Sequence, residues 1–245
     1  MRREDVRETM ADPVLPPPEE KPIYVRRMFT SIARRYDLMN RLMTGGRDRA
    51  WRRDVIRLAG LRPGEWLLDV ATGTGDLGIE ALRQTPGVHV VGLDFTREMM
   101  LVGRDKPLGR RMRFVEGDAL QLPFPDGTFD AVVSGFGMRN VADLARAFAE
   151  QARVTRPGGR VLCLETTPPP EGIWGRLFRW YFFTVVPFMG GLLSGRRDAY
   201  AYLPHSTAHF PSPEAVRRVM VDVGLRHVRY RLLMGGTVAI HVGLK

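Results

Sequence analysis

The stretch Leu67–Gly78, LLDVATGTGDLG, constrains the chain more than any other. An apolar run from Trp66 to Ala71 has the length and composition of a strand. It breaks into Gly73, Gly75 and Gly78, and a helical pattern resumes at Leu77. Glycines after a strand let the backbone turn tightly and approach a ligand where a Cβ would collide. The helix that follows offers unpaired N–H groups to a negatively charged part of that ligand. Asp94 stands at the spacing expected of an acid at the tip of the next strand, placed to take ribose hydroxyls. The stretch reads as a nucleoside-cofactor site in a parallel sheet.

Gly73, Gly75 and Gly78 satisfy G-x-G-x-x-G, so an NAD-dependent oxidoreductase is one reading, although that pattern alone is weak. Two acids favour S-adenosylmethionine instead. Asp69 lies inside the strand before the loop, and Gly117-Asp118-Ala119 follows the third strand. Neither belongs to the dinucleotide fingerprint.

The rest of the chain supports one sizeable domain. Its 245 residues, 44% hydrophobic, suffice for a core. The single Cys163 rules out a disulfide framework and fits a reducing cytoplasm, and no signal peptide opens the chain. The net charge of +10 suits nucleic acid, an anionic membrane surface or a solvated Arg-rich exterior. With no zinc-finger spacing and no aromatic RNA-binding signature, nucleic acid is not expected as a partner and the membrane ranks above it. The histidines are scattered, so no metal is expected, and no P-loop is present.

Residues 1–22, polar and proline-rich, read as a disordered tail, and 23–245 as a single domain. Within it, 23–60 form a helical cap. Val25, Met28, Phe29, Ile32, Tyr36 and Met39 make one apolar face that Gly45-Gly46 stops, and a short helix over 49–59 follows. Five strand-like segments then alternate with helices: 66–71, 88–93, 112–115, 129–134 and 160–164. Asp94, Asp118 and Ser134-Gly135 all fall at carboxyl ends of strands, where ligands bind in such sheets. An insertion over 168–211 contains the aromatic segment 173–193, which Arg176, Arg179 and Pro187 interrupt. It reads as a cover over an apolar substrate, an interfacial patch or a plain buried segment, and not as a membrane span. A final helix, capped by Ser212 and ended by Gly224, precedes two β segments joined at Gly235-Gly236.

Several segments together resemble the C-methyltransferases of menaquinone and ubiquinone biosynthesis: FTSIARRYDLMNRLMTGGRDRAWRR (29–53), DVATGTGD (69–76), FPDGTFDAVVSGFGMRN (124–140), AYAYLPHSTAHFPSPE (199–214) and GGTVAIHVG (235–243). The resemblance runs from about residue 24 to the end. It implies a class I S-adenosylmethionine-dependent methyltransferase, a Rossmann-like α/β fold with a seven-stranded, mostly parallel sheet and an antiparallel last strand. It implies S-adenosylmethionine as donor and a polyprenylated quinol as acceptor, with demethylmenaquinol ahead of the ubiquinone-pathway benzoquinol. The enzyme is then expected in the cytoplasm, peripheral at the inner face of the cell membrane, with a homodimer left open. The main rival outside enzymology is a basic membrane-surface module.

On this reading Asp69, Gly73, Thr74, Gly75, Asp94, Phe95, Asp118, Ala119, Ser134 and Gly135 hold the cofactor. Arg139, Tyr36, Asn140 and His241 are the catalytic candidates. A quinol ring carbon becomes nucleophilic when a neighbouring hydroxyl loses its proton. Arg139 suits stabilisation of that phenolate better than proton abstraction, because a guanidinium stays charged to a pKa above about 12. Gly45 and Thr166, where the family often has aromatics, and His205, where it usually has Glu, depart from the pattern.

Overall fold

The computed structural model describes residues 15–17 and 19–245. Most of the expected 1–22 tail lies outside them. Its last two residues depart from the expectation, since Lys21 and Pro22 open the first helix, α1 (Lys21–Thr44). Proline costs nothing there, because a first-turn N–H has no intrahelical partner. Lys21 is also tied down: its Nζ donates to the carbonyls of Arg139 (3.1 Å) and Val141 (3.0 Å). Helix α2 (Asp48–Ala59) completes the cap.

The doubly wound unit follows in chain order: β1 (Trp66–Val70), α3 (Asp76–Gln84), β2 (His89–Asp94), α4 (Arg97–Asp105), β3 (Arg113–Glu116), β4 (Phe129–Gly135), α5 (Leu144–Val154) and β5 (Thr155–Thr166). After the insertion come α9 (Pro213–Asp222), β6 (Arg226–Leu233) and β7 (Val238–Leu244), the insertion itself contributing α6 (Gly172–Trp180), α7 (Val186–Ser194) and α8 (Arg197–Ala208). The seven strands lie in the order β3-β2-β1-β4-β5-β7-β6. The first five pair in parallel, and β7 runs antiparallel to both β5 and β6.

Strand residues alternate between two cores. Leu67, Val90, Ala131, Val133 and Leu162 pack with Val55, Ile56 and Leu82 of α2 and α3. Leu68, Val91, Val132, Val161 and Cys163 pack with Phe148 of α5 and Val216 and Met220 of α9. A sheet covered on both faces needs near-continuous apolar strands, which is what the sequence supplies. A third core joins the cap to the insertion: Val25, Met28, Ile32 and Met39 of α1 meet Phe178, Phe182, Val186, Tyr200 and Tyr202. The two segments flanking the sheet unit in the chain thus form one cover over its carboxyl edge.

The glycine loop shows why its residues are small. Gly73 and Gly75 take positive φ (56° and 76°), which lets the chain leave β1 and enter α3 at once. Gly78 serves a close approach: a Cβ there would stand 2.8 Å from Val90 Cγ1 and 2.4 Å from Met112 Cε. Gly78→Ala should therefore destabilise the fold by about 1–3 kcal/mol, the usual cost of overpacking a filled core, and thermal unfolding measures it.

Candidate active site

At the carboxyl ends of β1, β2 and β4 lies a cleft with a cavity volume of about 160 Å³. Tyr36, Gly73, Asp94, Phe95, Asp118, Ala119, Gly135 and Asn140, all picked from the sequence, line it. Asp94 is buried, with Oδ2 accepting from Gly73 N–H (2.8 Å) and Oδ1 from Thr96 N–H (2.8 Å). Burial raises its pKa, and these donors oppose the shift. A carboxylate has about four acceptor positions, so two remain for the hydroxyls of a ribose.

Among the described residues, Asp94 and Asp118 are the only charged residues lining the cleft. Asp94 suits a ribose in either cofactor, whereas Asp118 with no Lys or Arg beside it favours a cationic nucleoside over a pyrophosphate. A dinucleotide would bring its phosphates to this wall. A nucleoside bearing a sulfonium brings a positive charge, and the apolar side chains of Phe95, Met99, Ala119 and Leu120 offer its base a dry wall. The residues present fit S-adenosylmethionine.

Other sequence-chosen residues sit elsewhere. Asp69 lies behind the glycine loop, buried, where it accepts from Thr72 Oγ1 (2.6 Å) and Gly78 N–H (3.1 Å). It shapes the loop and does not line the cleft. Thr74 turns its hydroxyl away, onto Asp37 Oδ1 (2.6 Å), while Lys106 Nζ bridges Asp37 (2.7 Å) and Asp76 (2.5 Å). Thr74 and Gly75 thus anchor the loop to α1 and start α3. Ser134 is buried within the sheet, in register with Val70 and Cys163. His241 is a correction. It lies in the middle of β7, opposite Cys163, with Nε2 on the carbonyl of Pro213 (2.9 Å) and its ring against Tyr230. Packing against the start of α9 holds it on the far side of the sheet from the apolar cavity.

That second cavity, with a volume of about 60 Å³, abuts the cleft and is lined mainly by apolar and aromatic side chains, Trp51, Phe136, Phe178, Tyr181 and Phe182 among them. Phe136 lines both spaces. Its φ of +59° is rare for a bulky residue, and such strain persists only where surrounding packing enforces it. Arg139 lines the apolar cavity. Its Nη1 donates to Glu165 Oε1 (2.5 Å) and to the Phe136 carbonyl (2.7 Å). Glu165, at the end of β5, also accepts from the backbone N–H of Arg139 and Thr166. Burial would lower the Arg139 pKa, but Glu165 and the phenols of Tyr36 and Tyr202 raise it above its ordinary value. The guanidinium is a fixed cation. Its Nε and the Nδ2 of Asn40 are buried donors without a protein partner. The phenol of Tyr36 is pushed up by burial and that of Tyr202 up to about 12, so neither takes a proton at neutral pH.

Glu165, Lys106 and the tie from Asp37 to Thr74 and Lys106 join the site only through the tertiary structure. Glu165 could have been found by position, as the acid at the carboxyl end of the fifth strand. Lys106 carries no local signal.

Comparison with known proteins agrees with this geometry. The profile of the ubiE/COQ5 methyltransferase family matches residues 18–245. The chain belongs to that family. A demethylmenaquinone methyltransferase of Thermus thermophilus is 50% identical over 218 residues, 88% of this chain and 99% of the relative. A ubiquinone/menaquinone biosynthesis C-methyltransferase of Methylobacterium nodulans is 45% identical over 94% of this chain and 93% of its own. Among solved structures, a SAM-dependent methyltransferase from Aquifex aeolicus superposes with a TM-score of 0.60 at 17% identity, covering 85% of this chain and 97% of that one. This is a methyltransferase fold, and its donor is S-adenosylmethionine; the nicotinamide reading falls.

Asp69 gives the methyltransferase a pH signature. Burial lifts its carboxyl to about 7 from an ordinary 3.8, against the hydrogen bonds from Thr72 and Gly78. Between those values the native state keeps a proton that the unfolded chain has lost, so this group's contribution to stability declines as pH rises from about 4 to 7. Asp69→Asn should flatten that slope, measured by denaturant unfolding across the range.

Proposed function

We propose that this enzyme transfers the methyl group of S-adenosylmethionine to a ring carbon of demethylmenaquinol, giving menaquinol. One observation carries the reading: a buried cation with an unpartnered donor stands in an apolar, aromatic cavity that shares a wall with the cofactor cleft. That combination suits an aromatic acceptor with an ionising hydroxyl and a greasy body. The names of the relatives support the same acceptor.

S-adenosylmethionine supplies, when bound, a methyl group already activated on a sulfonium. The chain has three tasks. Asp94 and the glycine loop hold the nucleoside end. The aromatic walls exclude water and keep the ring beside Phe136, which converts a bimolecular displacement into a positioned one. Arg139 stabilises the phenolate: a neighbouring cation favours the ionised form of an acidic group and opposes the burial that disfavours it. The ring carbon next to that oxygen would be the nucleophile toward that methyl, with S-adenosylhomocysteine as the leaving group, and the displaced ring proton would pass to solvent, which leaves the aromatic methylated quinol. Glu165 keeps Arg139 oriented and charged. Because a polyprenylated acceptor resides in a bilayer, the reading also places the enzyme at the inner face of the cell membrane.

Relatives named for both quinone pathways support the ubiquinone-pathway benzoquinol as a second reading. Turnover of each quinol with labelled donor decides between them, and the naphthoquinol should give the larger kcat/KM. Asp94→Ala should weaken S-adenosylhomocysteine binding in calorimetry and leave the fold intact.

Removing Arg139 alone would strand Glu165 as a buried charge, at a cost of about 3–5 kcal/mol. The double substitution Arg139→Gln/Glu165→Gln removes both charges together. It should keep cofactor affinity while kcat falls by about 10²–10³, the usual loss when a stabilising donor is removed. Normal turnover in this variant would refute the role given to Arg139.

A further inference from the structure

The insertion's first two helices form one rod. The joints between α6, the π-helical turn Tyr181–Val185 and α7 keep helical dihedrals, with Tyr181 at −56°, −50° and Val186 at −62°, −48°. Pro187 has no N–H to offer the Phe183 carbonyl, and the widened turn just before it accommodates that loss. Along the rod, one stripe is buried: Gly175, Phe178, Phe182, Val186 and Gly190. The opposite stripe is just as apolar and lies bare. Ile173, Leu177, Trp180, Phe188 and Leu192 are between 57% and 74% exposed. A helix that is apolar all round belongs inside a protein or against lipid, and this one has protein on one side only.

Helix α1 extends the bare face. Arg35 donates to the Leu193 carbonyl and the Tyr181 hydroxyl to the Met43 carbonyl, so α1 runs antiparallel beside the rod. Between those two ties, Leu38 and Leu42 are exposed at 52% and 43%. Among the described residues, fourteen large hydrophobic side chains are exposed, and ten of them lie on α1 or this rod. Monomeric proteins rarely gather so much apolar surface in one place without an occupant.

The charges say which occupant. Arg34, Arg41, Arg176 and Arg179 are exposed on the same two helices, and no acid occurs between residues 172 and 197. Asp37, the one acid on α1, is engaged by Thr74 and Lys106. A second copy docked symmetrically on this face would oppose arginine with arginine. An anionic bilayer complements it, with headgroups at the arginines and apolar side chains in the acyl boundary. No helix among the described residues is long and apolar enough to cross a membrane.

We propose that the rod 172–194 and the adjoining half of α1 dock in the interface of an anionic bilayer, lying in its plane. The proposal rests on the quinol reading for its purpose. Phe178, Tyr181 and Phe182 of the rod and Met43 of α1 line the acceptor cavity. The elements that touch lipid are therefore the walls of the cavity, and a polyprenyl tail stays in the bilayer while its ring reaches Arg139.

The test uses the full chain with vesicles of phosphatidylcholine, with and without phosphatidylglycerol. The protein should sediment with the anionic vesicles, with a blue shift of tryptophan fluorescence, and should release as salt shortens the Debye length from about 10 Å at 0.1 M. Trp180→Glu/Leu192→Glu, two exposed positions outside either cavity, should cut binding by more than about tenfold, since each substitution forfeits the burial of a large apolar side chain. The same variant should keep its affinity for S-adenosylhomocysteine and its turnover of a tail-less, soluble quinol. A wild-type protein that turns over the soluble quinol yet ignores anionic vesicles overturns the proposal. So does a double variant that binds vesicles like the wild type, or one that converts a dimer to monomers in sedimentation velocity without lipid. Vesicle binding without turnover of any quinol would sink the acceptor reading and leave the docking surface standing.

Discussion

A sheet buried on both faces leaves a ligand one place to reach its backbone, the edge where the strands end. The two cores that clamp this sheet, built from Val55, Ile56 and Leu82 on one side and Phe148, Val216 and Met220 on the other, force that outcome. Everything chemical then gathers at the carboxyl edge: the Gly73–Gly75 turn after β1, Asp94 after β2, Phe136 after β4 and Glu165 at the end of β5. The hydrogen bonds that set the site are short-range consequences of this geometry. Gly73 reaches Asp94 because β1 and β2 are neighbours in register, and Gly78 reaches Asp69 because the glycine loop turns α3 back onto the end of β1.

Charge divides the edge into two compartments. Among the described residues the charged side chains lining the cofactor cleft are Asp94 and Asp118, while the second cavity holds Arg139 together with Asp48, itself paired with Arg52, and Phe136 stands between them. The remaining carboxylates act as fasteners. Asp37 and Asp76, through Lys106, hold α1 against the glycine loop, and Arg52 joins the same group by pairing with Asp48 and Asp76. The cover over the site is therefore joined to the loop beneath it, so closing the cofactor in and completing the acceptor cavity involve the same helix.

That cover also explains an odd composition. An insertion with aromatics on every side would be unstable alone in water. Packed against α1 it buries one stripe, walls the cavity with its flank and leaves the other stripe bare beside arginines. The three readings of 173–193 open from the sequence are not rivals once the helix has faces: part is core, part is cavity wall and part is exposed.

Local signals were enough for the strand–helix alternation, the glycine loop, the Ser212 cap and the closing hairpin, since each depends on residues within a few positions. They also marked Asp94 and Asp118, because a doubly wound sheet fixes where its strand ends lie. They failed at α8, where Pro204 sits inside a helix that neighbouring packing sustains, and at the start of α1, which Lys21 secures through carbonyls more than a hundred residues away. Asp69 and His241 show the other limit. Residue type suggested chemistry for both, but which face of a strand a side chain takes, and what packs there, turned one into a support for the loop and the other into a partner of Pro213. The sequence by itself determined the strand–helix alternation and the glycine loop with Asp94 beyond it, written in periodicity and spacing. Only the tertiary structure decided that Glu165 holds Arg139 and that the cap and the insertion form one cover, because those contacts join segments whose separation along the chain leaves no local trace.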